Sequence, residues 1–177
     1  MEKRVSSIEV VPVPLEQQPV LANLLELYIH DFSEFHPVEI GADGRYSYPR
    51  LPLYWSDPNR YPFLIYSDRI LAGFALVHRT SDAQAGKLVW DMAEFFVLRS
   101  HRRQGIGMHA ALRVFHCFPG LWQVRVMQSN LSAQHFWSEA IFAFAGRAIQ
   151  PLRFTHGGDG WQRFSFESSS AFGSIPD

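Results

Sequence analysis

Apolar and polar residues recur along the chain with two distinct periods. Leu21, Leu24, Leu25 and Tyr28 follow three- and four-residue intervals, which predicts an amphipathic helix over residues 17–33, with Pro19 suited to its first turn. Ala133, Phe136, Trp137, Ala140, Ile141 and Phe144 keep the same period and predict another helix. Met108, Ala111, Leu112 and Phe115 mark a third, which Pro119 and Gly120 end. Short runs rich in β-branched and aromatic residues lie between them. Ile8 to Val13 predicts an opening strand. Phe63 to Tyr66 and Ile70 to His78 predict a hairpin around Asp68-Arg69, a turn without the favoured glycine. Lys87 to Leu98, Leu121 to Gln128 and Trp161 to Phe166 predict three further strands. The order β-α-loop-β-β-β-α-β-α-β describes an α/β chain with a mixed sheet and helices on its faces, not an alternating βαβ array.

Residues 34–61 break the pattern. Pro37, Pro49, Pro52, Pro58, Gly41 and Gly44 interrupt any regular element there. Phe35, Tyr46, Tyr48, Tyr54 and Trp55 argue against disorder. A loop of this length within a compact domain is usually functional.

Composition narrows the class. A chain of 177 residues without repeats or linkers is expected to form one domain spanning 1–177. A formal net charge of -1 gives no electrostatic reason to expect nucleic acid as a partner. Met1 to Val13 lacks the apolar run of a signal peptide, and no segment is long and apolar enough for a membrane span. Cys117, the single cysteine, excludes an internal disulfide, and a cytoplasmic location is expected. The eight histidines form no metal-ligand pattern, so no metal is expected.

The most informative segment runs from Phe95 to Met108. A strand enters a basic turn, Arg99-Ser100-His101-Arg102-Arg103-Gln104-Gly105-Ile106-Gly107, and the turn enters a helix. Glycines let backbone N–H groups approach a ligand, and the helix dipole adds positive potential, a combination suited to pyrophosphate. The Walker and dinucleotide-binding patterns do not fit, and no nucleophile elbow occurs. Arg102-x-x-Gly105-x-Gly107 resembles the Arg/Gln-x-x-Gly-x-Gly/Ala signature of the GNAT acyl-CoA N-acyltransferases. One helix and one strand later, Asn130, Ala133, Phe136 and Trp137 resemble that family's Asn-x-x-Ala-x-x-Phe-Tyr segment. The resemblance covers about residues 63–145.

The resemblance implies a mostly antiparallel, splayed central sheet flanked by helices, and acetyl-CoA as acyl donor. It assigns the pyrophosphate to backbone amides of Arg103, Gln104, Gly105, Ile106, Gly107 and Met108, with Arg102 adding charge. It lays the pantetheine arm along Phe96, Val97 and Leu98, and beside Asn130, Ala133, Phe136 and Trp137. Asn130 equally suits a helix N-cap. The resemblance leaves a homodimer open.

Acetyl transfer to an amine needs a proton acceptor and benefits from a proton donor at the departing thiolate. Trp137 stands where many relatives carry a tyrosine donor, and an indole N–H is no useful acid. Three readings stay open: an unassisted thiolate, a substitute tyrosine (Tyr28, Tyr46 or Tyr48), or binding without turnover. Glu94 is the candidate base, because a regular strand would place it on one face with Trp90, Met92, Phe96 and Leu98. A bulge, common in this family, would shift those faces. Asp31 and Glu34 near the end of the first helix, with Tyr28, Tyr48 and Trp55, are candidate acceptor-site residues. A small-molecule amine is the expected acceptor. Protein N-termini or lysines, and a non-catalytic acyl-CoA sensor, are the alternatives.

Overall fold

The computed structural model describes residues 7–82 and 86–168. Residues 1–6 of the amino-terminal stretch and residues 169–177 of the expected domain lie outside them. Among the described residues, seven strands form one sheet: β1 (Ile8–Pro12), β2 (Arg60–Ser67), β3 (Ile70–Ser81), β4 (Leu88–Val97), β5 (Gly120–Met127), β6 (Leu152–His156) and β7 (Asp159–Ser168). Helices α1 (Gln18–Phe32), α3 (Ile106–Cys117) and α4 (Leu131–Ala145) cover it, and α2 (Leu53–Ser56) is a single turn. The strand order is β1-β2-β3-β4-β5-β7-β6. Every neighbouring pair is antiparallel except β4 and β5, which run parallel.

The apolar runs of β2 and β3 reflect burial on both faces. Leu64, Ile65, Phe74, Ala75, Leu76 and Val77 have no solvent exposure. One face gathers Ala75, Val77, Met92, Val124, Phe164 and Phe166 under Phe115, Trp137 and Ile141 of α3 and α4. The other packs Leu64, Phe74, Leu76 and Phe96 against Leu21, Leu24 and Leu25 of α1. A strand sandwiched this way loses its polar alternation, so it reads as a continuous hydrophobic run.

The hairpin turn forms where expected. Asp68 and Arg69 have φ of 49° and 68°, the double left-handed geometry of a type I′ turn. The 34–61 segment is irregular save for α2. It is pinned at several points: Trp55 Nε1–H donates to Val13 O over 2.8 Å, and Tyr46 N–H donates to Glu26 Oε2 over 2.9 Å. His36 Nδ1 lies 2.7 Å from Asp159 Oδ2, joining this segment to the start of β7. β6 was absent from the sequence-based order. Its five residues, LRFTH, are mostly exposed and, among the described residues, pair only with β7, so an apolar period had nothing to record.

Two features of β4 prepare the site. Leu76 faces Glu94 across the β3–β4 ladder while Val77 faces Met92, so Ala93 is an extra residue, a β-bulge. The β4–β5 ladder runs from Trp90↔Trp122 to Met92↔Val124, although β4 continues to Val97 and β5 to Met127. Past the bulge, these parallel strands part.

Candidate active site

The bulge decides where Glu94 points. Trp90 and Met92 pack on the α3–α4 side, whereas Ala93, Phe96 and Leu98 pack on the α1 side. The regular row of five expected from strand alternation is therefore broken, and only Phe96 and Leu98 share a face with Glu94. There Tyr28 of α1 donates a hydrogen bond to Glu94 Oε2, and Tyr48 donates to Oε1 over 3.0 Å. Burial pushes the Glu94 carboxyl above its ordinary range, against the opposing pull of the two tyrosine hydrogen bonds and of Arg125. Burial and the neighbouring carboxylate likewise hold both tyrosines far above their usual values, so both stay protonated.

The turn after β4 has the geometry of an anion cradle. Gly105 caps α3 with φ of 80°, a conformation that glycine adopts without strain. Gly107 sits under Phe136: an added Cβ would lie 3.2 Å from Phe136 Cε2 and 3.5 Å from Val97 Cγ2. The first turn of α3 leaves the N–H groups of Ile106, Gly107 and Met108 without intrahelical partners, and Arg103 and Gln104 lead into it through the bend. Met108 follows within the helix, packed against the core. Along β4, the edge beyond Met92 is released by the departure of β5, the position where an extended ligand can pair with Val97. These features fit a pyrophosphate and its attached arm.

Several other expected site residues have partners within the protein. Arg102 donates from Nε to Val97 O and from Nη2 to Asp31 Oδ2, each over 2.7 Å. Asp31 also receives Arg99 Nη2 at 2.7 Å. Burial alone would raise the Asp31 pKa, but the hydrogen bonds from Arg99 and Arg102 outweigh it and lower the value. Asp31 thus ties α1 to the basic turn instead of facing an acceptor, and Glu34 is exposed. Asn130 caps α4, its Oδ1 accepting from Ala133 N–H at 2.9 Å. Phe136 stacks on Phe95 at 5.7 Å. Trp137 is 6% exposed among Phe95, Phe115 and Phe136, a core residue and not a cleft residue. Trp55 serves as the anchor to Val13 described above. Cys117 is half-buried, and burial raises its thiol pKa.

Sequence reasoning missed a cavity of about 350 Å³ on the same sheet face as Glu94. Arg50, His78, Asp91, Arg125, Phe154 and Arg163 are among its walls. Asp91 is completely buried and accepts from Arg125 Nη2 at 2.7 Å and Nε at 3.2 Å. His78 Nδ1 lies 3.6 Å from Asp91 Oδ2. The signal was available in β5: Gln123 and Arg125 alternate with buried Trp122, Val124 and Val126, marking a polar face.

The sequence profile of the Acetyltransferase (GNAT) family matches residues 21–144. The chain belongs to that family. It is an acyltransferase with a GNAT fold. Among solved structures, an acetyltransferase from Thermus thermophilus is similar at a TM-score of 0.63 and 16% identity, over 91% of this chain and 97% of the other. A GNAT-family protein from Desulfovibrio desulfuricans gives 0.62 at 13% identity, over 92% and 100%. A variant of the spermidine N-acetyltransferase SpeG from Vibrio cholerae gives 0.58 at 12% identity, over 91% and 94%. No curated protein sequence matches significantly. Identities this low relate the folds and leave the acceptor to be argued from this GNAT chain's own residues. Among the described residues, no helix is long and apolar enough to cross a membrane, and no group of three metal-ligating side chains forms.

Proposed function

We propose that this GNAT protein transfers the acetyl group of acetyl-CoA to the primary amine of a small molecule, as a single domain in the cytoplasm. The observation that carries the proposal is the Glu94–Tyr28–Tyr48 cluster, set where β4 and β5 separate. The cradle at Gly105 and Gly107, with the β4 edge that β5 leaves beyond Met92, supports acetyl-CoA as the donor. Acetyl-CoA supplies the activated acyl carbon, whose C–S bond breaks as the C–N bond to the amine forms.

The chain's own residues handle the protons. An ammonium ion must lose a proton before its nitrogen can attack, and Glu94 accepts it directly or through water. Its raised pKa brings it nearer the working pH, where a general base is most effective. Tyr28 and Tyr48 hold the carboxylate in place. Each hydroxyl has one proton, already given to Glu94, so either protonates the departing sulfur only as a relay that takes up in turn the proton Glu94 accepts from the amine. Trp137, in the core, leaves that role to them. The residues Phe96, Val97 and Leu98 and the turn from Arg103 to Met108 bind and orient the donor. The irregular 34–61 segment closes over α1 through Tyr46, Tyr48 and Trp55, which favours a small acceptor over a protein chain. Spermidine is the acceptor named for the Vibrio neighbour, but the arginines of the cavity on this sheet face argue against a polycation here.

The test is release of CoA thiol from acetyl-CoA across a panel of small amines, with wild type and Glu94→Gln. Release with one amine class, lost in the variant, supports the reaction and the base. Release retained in the variant keeps the reaction and removes Glu94 from it. No release with any amine removes the small-molecule reading.

A further inference from the structure

The cavity lined by Asp91 of β4 carries a charge pattern that the transfer reaction itself does not require. Arg50 enters from the irregular segment, Arg125 from β5 and Arg163 from β7, with His78 from β3. The opposing carboxylates are Asp82 and Asp91. Asp91 is already matched by the two-point bond from Arg125, and Asp82 lies 3.7 Å from Arg163. Three guanidinium groups therefore face two carboxylates, each of which has an arginine partner. The wall is positive before histidine is considered.

Arg125 is built to do two jobs. Its Nε and Nη2 atoms hold Asp91, which fixes the plane of the guanidinium. A guanidinium has five N–H donors, so the Nη1 group is left over. The side chain keeps 40% of its surface exposed, although Asp91 beneath it has none. A planar, permanently charged fork with a fixed orientation is suited to bind a carboxylate or phosphate oxygen. His78 is held neutral by its surroundings: burial lowers its pKa first, and Arg60, Arg125 and Arg50 add to that against Asp91.

The distance to the reactive centre is short. Asp91 and Glu94 are three residues apart on one strand, at most about 11 Å along the chain. Both project on the same sheet face, and Arg125 acts electrostatically on Glu94. The cavity wall ends at Asp91, so a ligand held at the arginines reaches Glu94 by extending past Asp91 along β4. A volume of about 350 Å³ sits at the small end of ligand pockets.

We propose that the acceptor is a compact amine that also carries an oxyanion, with its anionic group held by Arg125 and Arg50 and its amine directed to Glu94. The proposal rests on the small-molecule acetyltransferase reading and names the acceptor class for that site.

The experiment has a binding arm and a turnover arm. β-Alanine, its amide, aminoethyl phosphate and spermidine are titrated by calorimetry into the protein with a non-hydrolysable acetyl-CoA analogue. The same four are then assayed for CoA release with acetyl-CoA. Arg125→Gln alone would strand the buried Asp91, so the pair is neutralised together as Asp91→Asn with Arg125→Gln. Arg50→Gln, at an exposed position, is the second variant and leaves the core untouched.

Wild type is expected to bind an anionic amine at least about tenfold more tightly than the neutral amide, and spermidine most weakly. Arg50→Gln should reduce that preference about threefold, and the double variant should remove it. The aminocarboxylate and aminophosphate arms identify which oxyanion the site takes. Equal affinity for acid and amide, or a preference for spermidine, overturns the proposal. Turnover of neutral or cationic amines alone also overturns it while leaving the acetyltransferase reading intact. Oxyanion-selective binding without CoA release from any amine would keep the anion site and sink the transfer reaction.

Discussion

Tyr48 Oη donates to Glu94 Oε1 over 3.0 Å, linking an irregular surface segment to the central strand of the sheet. The two residues are 46 positions apart, and Tyr28 of α1 closes on the other carboxylate oxygen. One carboxylate thereby fixes the loop, the first helix and the bulged strand together. A hydrogen bond to a charged acceptor contributes about 1.5–3 kcal/mol.

Tyr48→Phe should weaken the charged form of Glu94, because one hydroxyl that favours it is gone while burial persists. The acid limb of the kcat/KM–pH profile is expected to move upward, with kcat/KM near neutrality falling roughly tenfold. A profile superimposable on wild type would disconnect Tyr48 from the base.

Glu94→Gln should lower kcat by roughly 100- to 10,000-fold, the range general-base removal usually costs. Its stability should respond in the opposite sense. The folded protein holds the Glu94 proton to a higher pH than the unfolded chain does. Unfolding free energy from this group therefore declines as pH rises through the window between the two pKa values, and the full penalty stays above it. Glutamine has no such penalty. Urea midpoints at acid and alkaline pH should show the variant gaining on wild type as pH increases.

Gly105→Ala places a Cβ at φ of 80°, where L residues are strained by about 1–2 kcal/mol. The nearest atoms, in His109, are 3.6 Å away, so the fold should tolerate it with a lower Tm. Acetyl-CoA affinity is expected to fall by a larger factor, since the methyl group narrows the approach to the backbone amides. Calorimetric titration with acetyl-CoA and a thermal melt separate the two effects. Unchanged affinity would remove the turn from the donor site.

Asp31→Asn releases Arg99 and Arg102 from their shared carboxylate. More positive potential is then available beside the pyrophosphate turn, and acetyl-CoA should bind a few-fold more tightly at low ionic strength, less so at high salt. Because Asp31 has a lowered folded pKa, wild type carries its stabilisation above the ordinary aspartate range and loses it as pH falls through the folded value. The variant should lack that acid-side loss, read from unfolding curves at descending pH.

Arg69→Gly relieves a non-glycine residue with φ of 68° in the β2–β3 turn. A gain of about 1 kcal/mol is expected in denaturant melts, with no effect on catalysis.

The helices α1, α3 and α4 and strands β1 to β5 and β7 were legible because their periodicity arises from local geometry and from burial of one or both faces. The cradle was legible too, since Gly105 and Gly107 must lie close together along the bend they form. Family membership followed from those two glycines and the Asn130–Phe136 segment. β6 was not legible, having almost no buried side chains to leave a period. The partners of Glu94 were named only as members of an aromatic list. A bulge at Ala93, which no single residue announces, turns Glu94 towards α1 and leaves Met92 on the opposite face. Arg102 and Asp31 each looked like a free ligand-binding group, and only the packing of α1 against the turn brought their charges together. The cavity of Arg50, His78, Asp91, Arg125 and Arg163 draws on five separate stretches of chain. The sequence by itself determined what short-range spacing can encode: element types, the anion turn and the family. Which charges meet depends on strand order and on the parting of β4 and β5, relations between distant segments that only the tertiary structure decided.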